Sequence, residues 1–272
     1  MKDYIPFIIT FIILIVIILF IFLLIKETLK IRIVHYKVKN GNIEEGMINE
    51  NNPIRIVYFS DLHLGRFLKK KELNKKIQLL KNLNADIYLF GGDLIGKNIQ
   101  KYYTLKDIQE CFQPLHGKCL LAVYGNHEYK IDKRITLEDK KAYLAATGFQ
   151  ILQNQEYIYL KDKQWITIYG MDDSIYGQPI LPKKEYHIVL SHEGDIIDQF
   201  HQKQWMLSGH THGGQIRIPL IPFYYRPYKG KKYTHGLFTI SPSKLLVSNG
   251  LGYGKMKLRL FAPCEIVQID YQ

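Results

Sequence analysis

Five short apolar runs in this chain finish alike, each in a glycine or serine turn carrying a polar residue able to bind metal. Residues 54–59 lead into Asp61-Leu62-His63, 86–90 into Gly91-Gly92-Asp93, and 118–124 into Gly125-Asn126-His127-Glu128. Residues 186–190 lead into Ser191-His192, and 204–207 into Gly209-His210-Thr211-His212-Gly213-Gly214-Gln215. Runs of this length, rich in β-branched residues and bounded by turn residues, read as buried strands. In an α/β sheet, functional sites assemble in the loops beyond the strand ends. One Asp-x-His or Gly-Gly-Asp means little. Five such endings in order constrain the chain to an α/β fold that gathers them at one edge.

The rest of the pattern fits that class. Residues 70–83 place Leu73, Ile77, Leu80 and Leu83 at helical spacing. Further helices are expected over 105–112 and over 137–147, the latter stopped by Gly148. Residues 156–160 and 165–169 read as a hairpin around Lys161-Asp162-Lys163. The tail supplies antiparallel-looking strands at 237–240, 244–247 and 265–271, and partial alternation over 31–38 suggests an edge strand. No repeat or low-complexity linker interrupts the motifs, so one domain is expected over 54–272, preceded by a juxtamembrane segment over 26–53.

Residues 4–25 carry no charge and are almost entirely Ile, Leu, Phe and Val. As a helix they would span roughly 33 Å, enough for a hydrocarbon core of about 30 Å. The run is longer than the apolar part of a cleaved signal peptide and has no small-residue cleavage site. The expectation is a single-pass membrane anchor over 1–25. Lys26, Lys30, Arg32, Lys37 and Lys39 follow it, which places the domain in the cytoplasm by the positive-inside rule. A short tail holding Lys2 and the terminal amine would also allow export. The net charge of +12 lies wholly in the part after the anchor and suits anionic lipid surfaces or anionic substrates. The cations are scattered and no nucleic-acid module is visible, so nucleic acid is not the expected partner. Three cysteines, Cys111, Cys119 and Cys264, are an odd number without paired spacing and read as free thiols.

The strand ends together offer Asp61, His63, Asp93, Asn126, His192, His210 and His212: oxygen and imidazole donors with no sulfur. Seven such ligands exceed the needs of one ion but suit two that share a carboxylate, with Asp93 as the natural bridge. The donor set favours Mn, Fe(II), Zn or Mg over a structural thiolate zinc. A pair of ions about 3.5–4 Å apart can clamp a phosphoryl group during in-line attack by water. His127, beside Asn126, could then protonate the leaving oxygen as general acid.

Asp61-x-His63, Gly91-Gly92-Asp93, Gly125-Asn126-His127-Glu128, His192 and Gly209-His210-Thr211-His212 resemble the calcineurin-like metallophosphoesterases. Gly213-Gly214-Gln215, Asn249-Gly250-Leu251-Gly252, Arg259 and Pro263 are similar to the membrane-anchored bacterial subgroup. The resemblance implies a four-layer α/β/β/α sandwich with a two-metal site at one edge. It implies one ion on Asp61, His63, Asp93 and His212, and the other on Asp93, Asn126, His192 and His210, with His127 over the leaving group. Gly194 stands where a proline is usual, and Glu128 where the motif usually has Asp. The activity implied is hydrolysis of a phosphodiester, phosphomonoester or pyrophosphate, with manganese as the foremost ion. The rival class is a membrane-tethered scaffold that keeps the fold without turnover, but such proteins usually lose a ligand.

Residues 216–235 hold three prolines and interleave Phe223, Tyr224, Tyr225, Tyr228 and Tyr233 with Arg217, Arg226, Lys229, Lys231 and Lys232. Directly after the metal-binding turn, this loop reads either as aromatics packed on the sandwich or as a lip over the site. Aromatic residues mixed with cations suit a lipid or lipid-linked phosphoester; soluble nucleotides are the alternative.

Overall fold

The protein is described by a computed structural model over residues 4–39, 42–46, 52–218 and 225–272. Helix α1 (Ile5–Leu29) precedes thirteen strands. The first sheet is built from β1 (Ile31–Lys39), β2 (Asn42–Glu45), β3 (Ile54–Phe59), β4 (Ile87–Phe90), β5 (Cys119–Ala122), β6 (Gln150–Ile151) and β13 (Cys264–Tyr271), in the order β2-β1-β13-β3-β4-β5-β6. The second comprises β7 (Gln155–Lys161), β8 (Gln164–Gly170), β9 (Ile188–Leu190), β10 (Trp205–Ser208), β11 (Gly236–Ile240) and β12 (Ser243–Val247), ordered β11-β12-β10-β9-β8-β7.

The two sheets face each other across an apolar layer. Ile54, Ile56, Ile87, Leu89 and Leu121 from one meet Ile166, Ile168, Ile188, Leu190 and Leu207 from the other, all essentially inaccessible to water. Strands buried on both faces read as continuous apolar runs, which is why 54–59 and 87–90 lack alternation. The outer face of the first sheet is covered by α2 (Lys70–Asn82), α3 (Leu105–Phe112) and α5 (Leu137–Ala145). α2 buries Leu73, Ile77 and Leu80, the residues whose spacing marked it. α3 and α5 both start in capping boxes, Thr104 with Asp107 and Thr136 with Asp139. The fourth layer, outside the second sheet, is thin: a 3-10 segment (Gly194–Gln199) and the loop bearing Tyr233 pack on Met171, Val189, Met206 and Leu245.

Strands β3, β4 and β5 run parallel, so the turns at 60–63, 91–93 and 125–127 emerge side by side. β9 and β10 are parallel in the second sheet and bring 191–192 next to 209–212. Backbone bonds hold the turns of each set together, Asp61 N donating to Gly92 O at 2.9 Å in one and Gly209 N to His192 O at 3.0 Å in the other.

Three sequence expectations are corrected. Residues 31–39 form an inner strand, paired parallel to β13 and antiparallel to β2, so the stretch 26–53 contributes two strands to the sheet. β13 is antiparallel to β3 but parallel to β1, and β12 is parallel to β10. α1 runs past residue 25 to Leu29, and its last turn docks: Glu27 and Thr28 are buried, and Arg259 N donates to Thr28 Oγ1 at 3.0 Å. The most apolar 18-residue stretch of the helix has a mean hydropathy of 3.8 and is not buried by the domain, so the helix is long and apolar enough to cross a membrane.

Candidate metal centre

All seven donor residues of the strand-end motifs meet at one edge of the sandwich, and six of them are buried. Five lie in left-handed backbone: Asp61, His63, Asp93, His210 and His212 have φ between 48° and 69°. Non-glycine residues rarely adopt this region, and such strain concentrates at functional sites. The sharp turns aim successive side chains inward. At Gly209 an added Cβ would lie 2.3 Å from Asp61 Oδ2, so glycine is what lets the histidine turn approach that carboxylate. Asp61 in return accepts from His210 N at 3.0 Å.

The donors form two neighbouring groups around Asp93. His63 Nε2 is 3.5 Å from Asp93 Oδ2 and 3.9 Å from Asp61 Oδ1, and His212 Nε2 is 3.6 Å from the same Asp61 oxygen. On the other side His192 Nε2 is 3.3 Å from Asp93 Oδ2, and His210 Nδ1 is 3.1 Å from Asn126 Oδ1. Asp61, His63 and His212 hold their donor atoms within 4.8 Å of one another, as do Asp93, His192 and His210.

The hydrogen bonds behind the rings decide where their lone pairs point. His192 Nδ1 donates to Gly91 O at 2.7 Å, His63 Nδ1 to Ile95 O at 3.3 Å, and His210 Nε2 to Tyr228 O at 2.8 Å. A carbonyl only accepts, so whenever the ring is neutral the other nitrogen turns its lone pair into the site. Among the described residues His192 Nε2 meets no hydrogen-bond partner; against the burial that would lower it, the Asp93 and Asp61 carboxylates hold this ring well above the usual imidazole range, so a cation there would take the place of a proton. His210 Nδ1 faces the Asn126 oxygen. Acceptors converging on buried space fit a cation. Burial pushes His63 down to about 3, aided by the neighbouring His127 ring, and likewise lowers His210 and His212, which keeps these rings neutral. Among the described residues His212 has no such carbonyl behind it: its Nδ1 lies 3.3 Å from Arg259 Nη2, whose protons go at shorter range to Gly252 O and Asn249 O, and its Nε2 faces His63 Nε2 at 2.9 Å.

His127 is half-buried, its ring 4.5 Å from that of His63, and its amide donates to Asp93 Oδ1 at 2.8 Å. Its acidic neighbour does other work. Glu128 accepts from the amides of Gly125, Asp93 and Ile95 at 2.8, 3.0 and 3.1 Å, clamping the turns after β4 and β5 together. Burial, then the Asp93 charge, raises its carboxyl to about 7.

Sequence reasoning gave no role to two further features. Arg259, wholly buried, donates to the carbonyls of Gly252, Ala262 and Asn249 at 2.7, 2.9 and 2.9 Å, folding the 249–262 loop against His212. The signal was a lone charge in the apolar stretch Leu258-Arg259-Leu260-Phe261. Asp173 and Glu193 are also buried, with Asp173 Oδ2 and Glu193 Oε1 both lacking partners. One shared proton between them accounts for both orphans, and burial together with Glu193 raises Asp173 to about 8.

A cavity of about 1050 Å³ opens over the centre. Of the 216–235 loop, Ile216, Tyr225 and Pro227 line it, while its cations face elsewhere. Lys232 pairs with Asp198 at 2.8 Å, Lys229 donates to Ser174 O, and Arg226 donates to Lys231 O. Tyr233 is buried in the outer core, and Phe223 and Tyr224 lie outside the described residues. The expected lip is thus aromatic, and the cations at the cavity come from other segments.

Residues 54–214, which carry the whole donor set, match the calcineurin-like phosphoesterase family. The chain belongs to that family. It is 29% identical over 248 residues to the uncharacterised metallophosphoesterase YkuE of Bacillus subtilis, covering 87% of this chain and 84% of that one. It is 27% identical over 230 residues to the phosphodiesterase YaeI of Escherichia coli, covering 80% and 82%. A zebrafish transmembrane protein with a metallophosphoesterase domain is 24% identical over 241 residues, 80% of this chain and 53% of that one. The protein is therefore a phosphoesterase, a hydrolase of a family that uses divalent metals, and its Asp and His clusters could hold such ions.

Proposed function

We propose that this phosphoesterase cleaves a phosphodiester or pyrophosphate at a two-metal centre. Asp61, His63, Asp93 and His212 hold one ion, and Asp93, Asn126, His192 and His210 the other. The observation that carries this is the convergence of two carboxylates and four imidazoles on one buried space, where a pair of cations would neutralise Asp61 and Asp93 and replace the proton those carboxylates hold on His192. Two divalent ions in such a cradle supply Lewis acidity to the phosphoryl oxygens and to the attacking water. Asp93, central to both groups, couples them, and Glu128 keeps the two turns that carry Asp93 and Asn126 in register. His127 stands at the rim of the donor set beside His63, where it holds a proton for the leaving oxygen. The name of YaeI favours a diester over a monoester.

α1 is the membrane anchor in this reading, supported by its length and hydropathy and by the transmembrane protein among the relatives. Its docked last turn sets the cavity beside the bilayer: the Tyr253 hydroxyl, at a residue that lines the cavity, lies 3.4 Å from Thr28 O and donates to Glu72 at 2.7 Å. Together with Tyr225 and Met256 on the same wall, this supports a lipid or lipid-linked phosphoester as substrate. The test is hydrolysis of bis(nitrophenyl) phosphate by the full chain in detergent, stripped of metal and reloaded. Turnover with manganese or a neighbouring divalent ion is expected, and silence with each of Mn, Fe(II), Zn, Ni and Mg would leave the non-catalytic scaffold as the better reading.

A further inference from the structure

The cavity over the metal centre has two unlike flanks. Beside His212 it is lined by Tyr225, Tyr253 and Met256, with Lys255 drawn over the Tyr225 ring at 3.9 Å. Beside His63 and His127 it is lined by Lys97 and the segment Lys130 to Arg134. That second flank is a built surface. Arg134 Nη1 donates to Asn98 Oδ1 at 2.6 Å, joining the loop after β4 to the segment after the short helix α4 (Asn126–Tyr129). Buried Lys140 donates to His127 O at 2.9 Å and to Lys130 O, pinning the segment from beneath.

The charges on this flank are not balanced. Arg134 is spent on Asp132, at 2.7 Å. The ammonium groups of Lys97, Lys130 and Lys133 meet no partner among the described residues. Elsewhere Lys70, Lys161, Lys184 and Lys232 each reach a carboxylate at 2.6 to 2.9 Å. Other lysines, Lys71 and Lys75 among them, are also unpaired among the described residues; what sets Lys97, Lys130 and Lys133 apart is that all three line one flank of the cavity over the metal centre. Lys130 caps the short helix α4 three residues beyond His127, and both line the cavity.

We infer that the substrate's leaving group is itself anionic, bearing a phosphate charge of its own, and that Lys97, Lys130 and Lys133 recognise it. The inference rests on the hydrolase reading above and adds a direction to it. Water adds to the scissile phosphorus, the bond to the leaving oxygen breaks, and that oxygen departs on the lysine flank with the proton held by His127. The retained phosphoryl group and its ester stay on the aromatic flank.

The test compares the full chain with the triple variant Lys97→Gln/Lys130→Gln/Lys133→Gln on three substrates. An alkyl nitrophenyl phosphate has no second charge on its leaving group. A dialkyl diphosphate carries one on the leaving phosphorus, and an alkyl phosphodiester whose leaving alcohol is a hydroxyl of glycerol 3-phosphate carries one on a remote phosphate. The variant should lose at least ten-fold more kcat/KM, mainly through KM, on a charged substrate than on the nitrophenyl ester, and the arm with the greater loss identifies the source of the charge. The Lys→Arg triple variant should recover most of that selectivity. Raising salt should erode the preference in the parent, because exposed charges are screened within about 8–10 Å at physiological ionic strength. Equal losses on all three substrates, or none, would overturn the inference. Inactivity of the parent on every substrate would instead count against the hydrolase reading.

Discussion

At the residue scale, the donor types were legible in the sequence because each closes a strand and is announced by Gly or Ser. What the sequence hid was orientation. Nothing in Asp61 or His210 announces a left-handed backbone, and no spacing shows that Gly91, Ile95 and Tyr228 supply the carbonyls that fix three ring tautomers. The role of Glu128 was not legible either: it caps three backbone amides, because its side chain turns back under its own helical turn. His127 makes no such structural bond through its ring and faces the cavity. His127→Gln should therefore retain metal while kcat falls by about 10² to 10⁴, the usual effect of losing a general acid. A nitrophenolate leaving group, which needs no proton, should recover much of that loss. Metal analysis showing an emptied site in this variant would make His127 a ligand.

At the scale of elements, the long apolar strands and the α2 periodicity could be read directly, whereas short or polar elements could not. β2 reads Asn-Ile-Glu-Glu and is held by partners rather than by pattern, with Glu44 paired to Lys37 at 3.0 Å. The docking of α1 was invisible because it rests on Thr28 meeting the backbone of Arg259, 231 residues away. A truncation beginning at Lys26 keeps Glu27 and Thr28, whereas one beginning at Ile31 loses both. The shorter protein should melt lower by about 2–8 °C, corresponding to roughly 1–2 kcal/mol for lost buried hydrogen bonds. Identical calorimetric traces would show that the last turn of α1 adds nothing to the domain.

The Asp173–Glu193 pair bridges the turn after β8 and the turn after β9, and gives stability a pH dependence. Asp173 is raised to about 8, so between an unfolded value near 4 and that point the folded state binds more protons than the unfolded one. Its contribution therefore falls as pH rises across this window. Asp173→Asn keeps the acceptor for the Tyr176 amide and removes the titration. Its melting temperature relative to the parent should climb between pH 5 and pH 8. A constant offset would rule out the shared proton.

For the whole molecule, the family resemblance and the layered fold followed from five strand ends, since parallel strands must deliver their C-terminal turns to one edge. The asymmetry of the cavity did not follow, because Lys97, Lys130 and Met256 are distant in sequence and meet only in the folded chain. The cations flanking α1 lead us to expect the domain on the cytoplasmic side. Protease added to intact cells should spare the domain, and its cleavage from outside would reverse that orientation. The account as a whole depends on two ions sharing Asp93. The direct measurement is calorimetric titration of the metal-stripped full chain with Mn(II), run in parallel on Asp93→Asn. The account predicts two ions per chain in the parent, with the affinity of both weakened by the one substitution and hydrolysis lost with them. A parent that binds no ion, or a variant that still binds two with unchanged affinity, would contradict it.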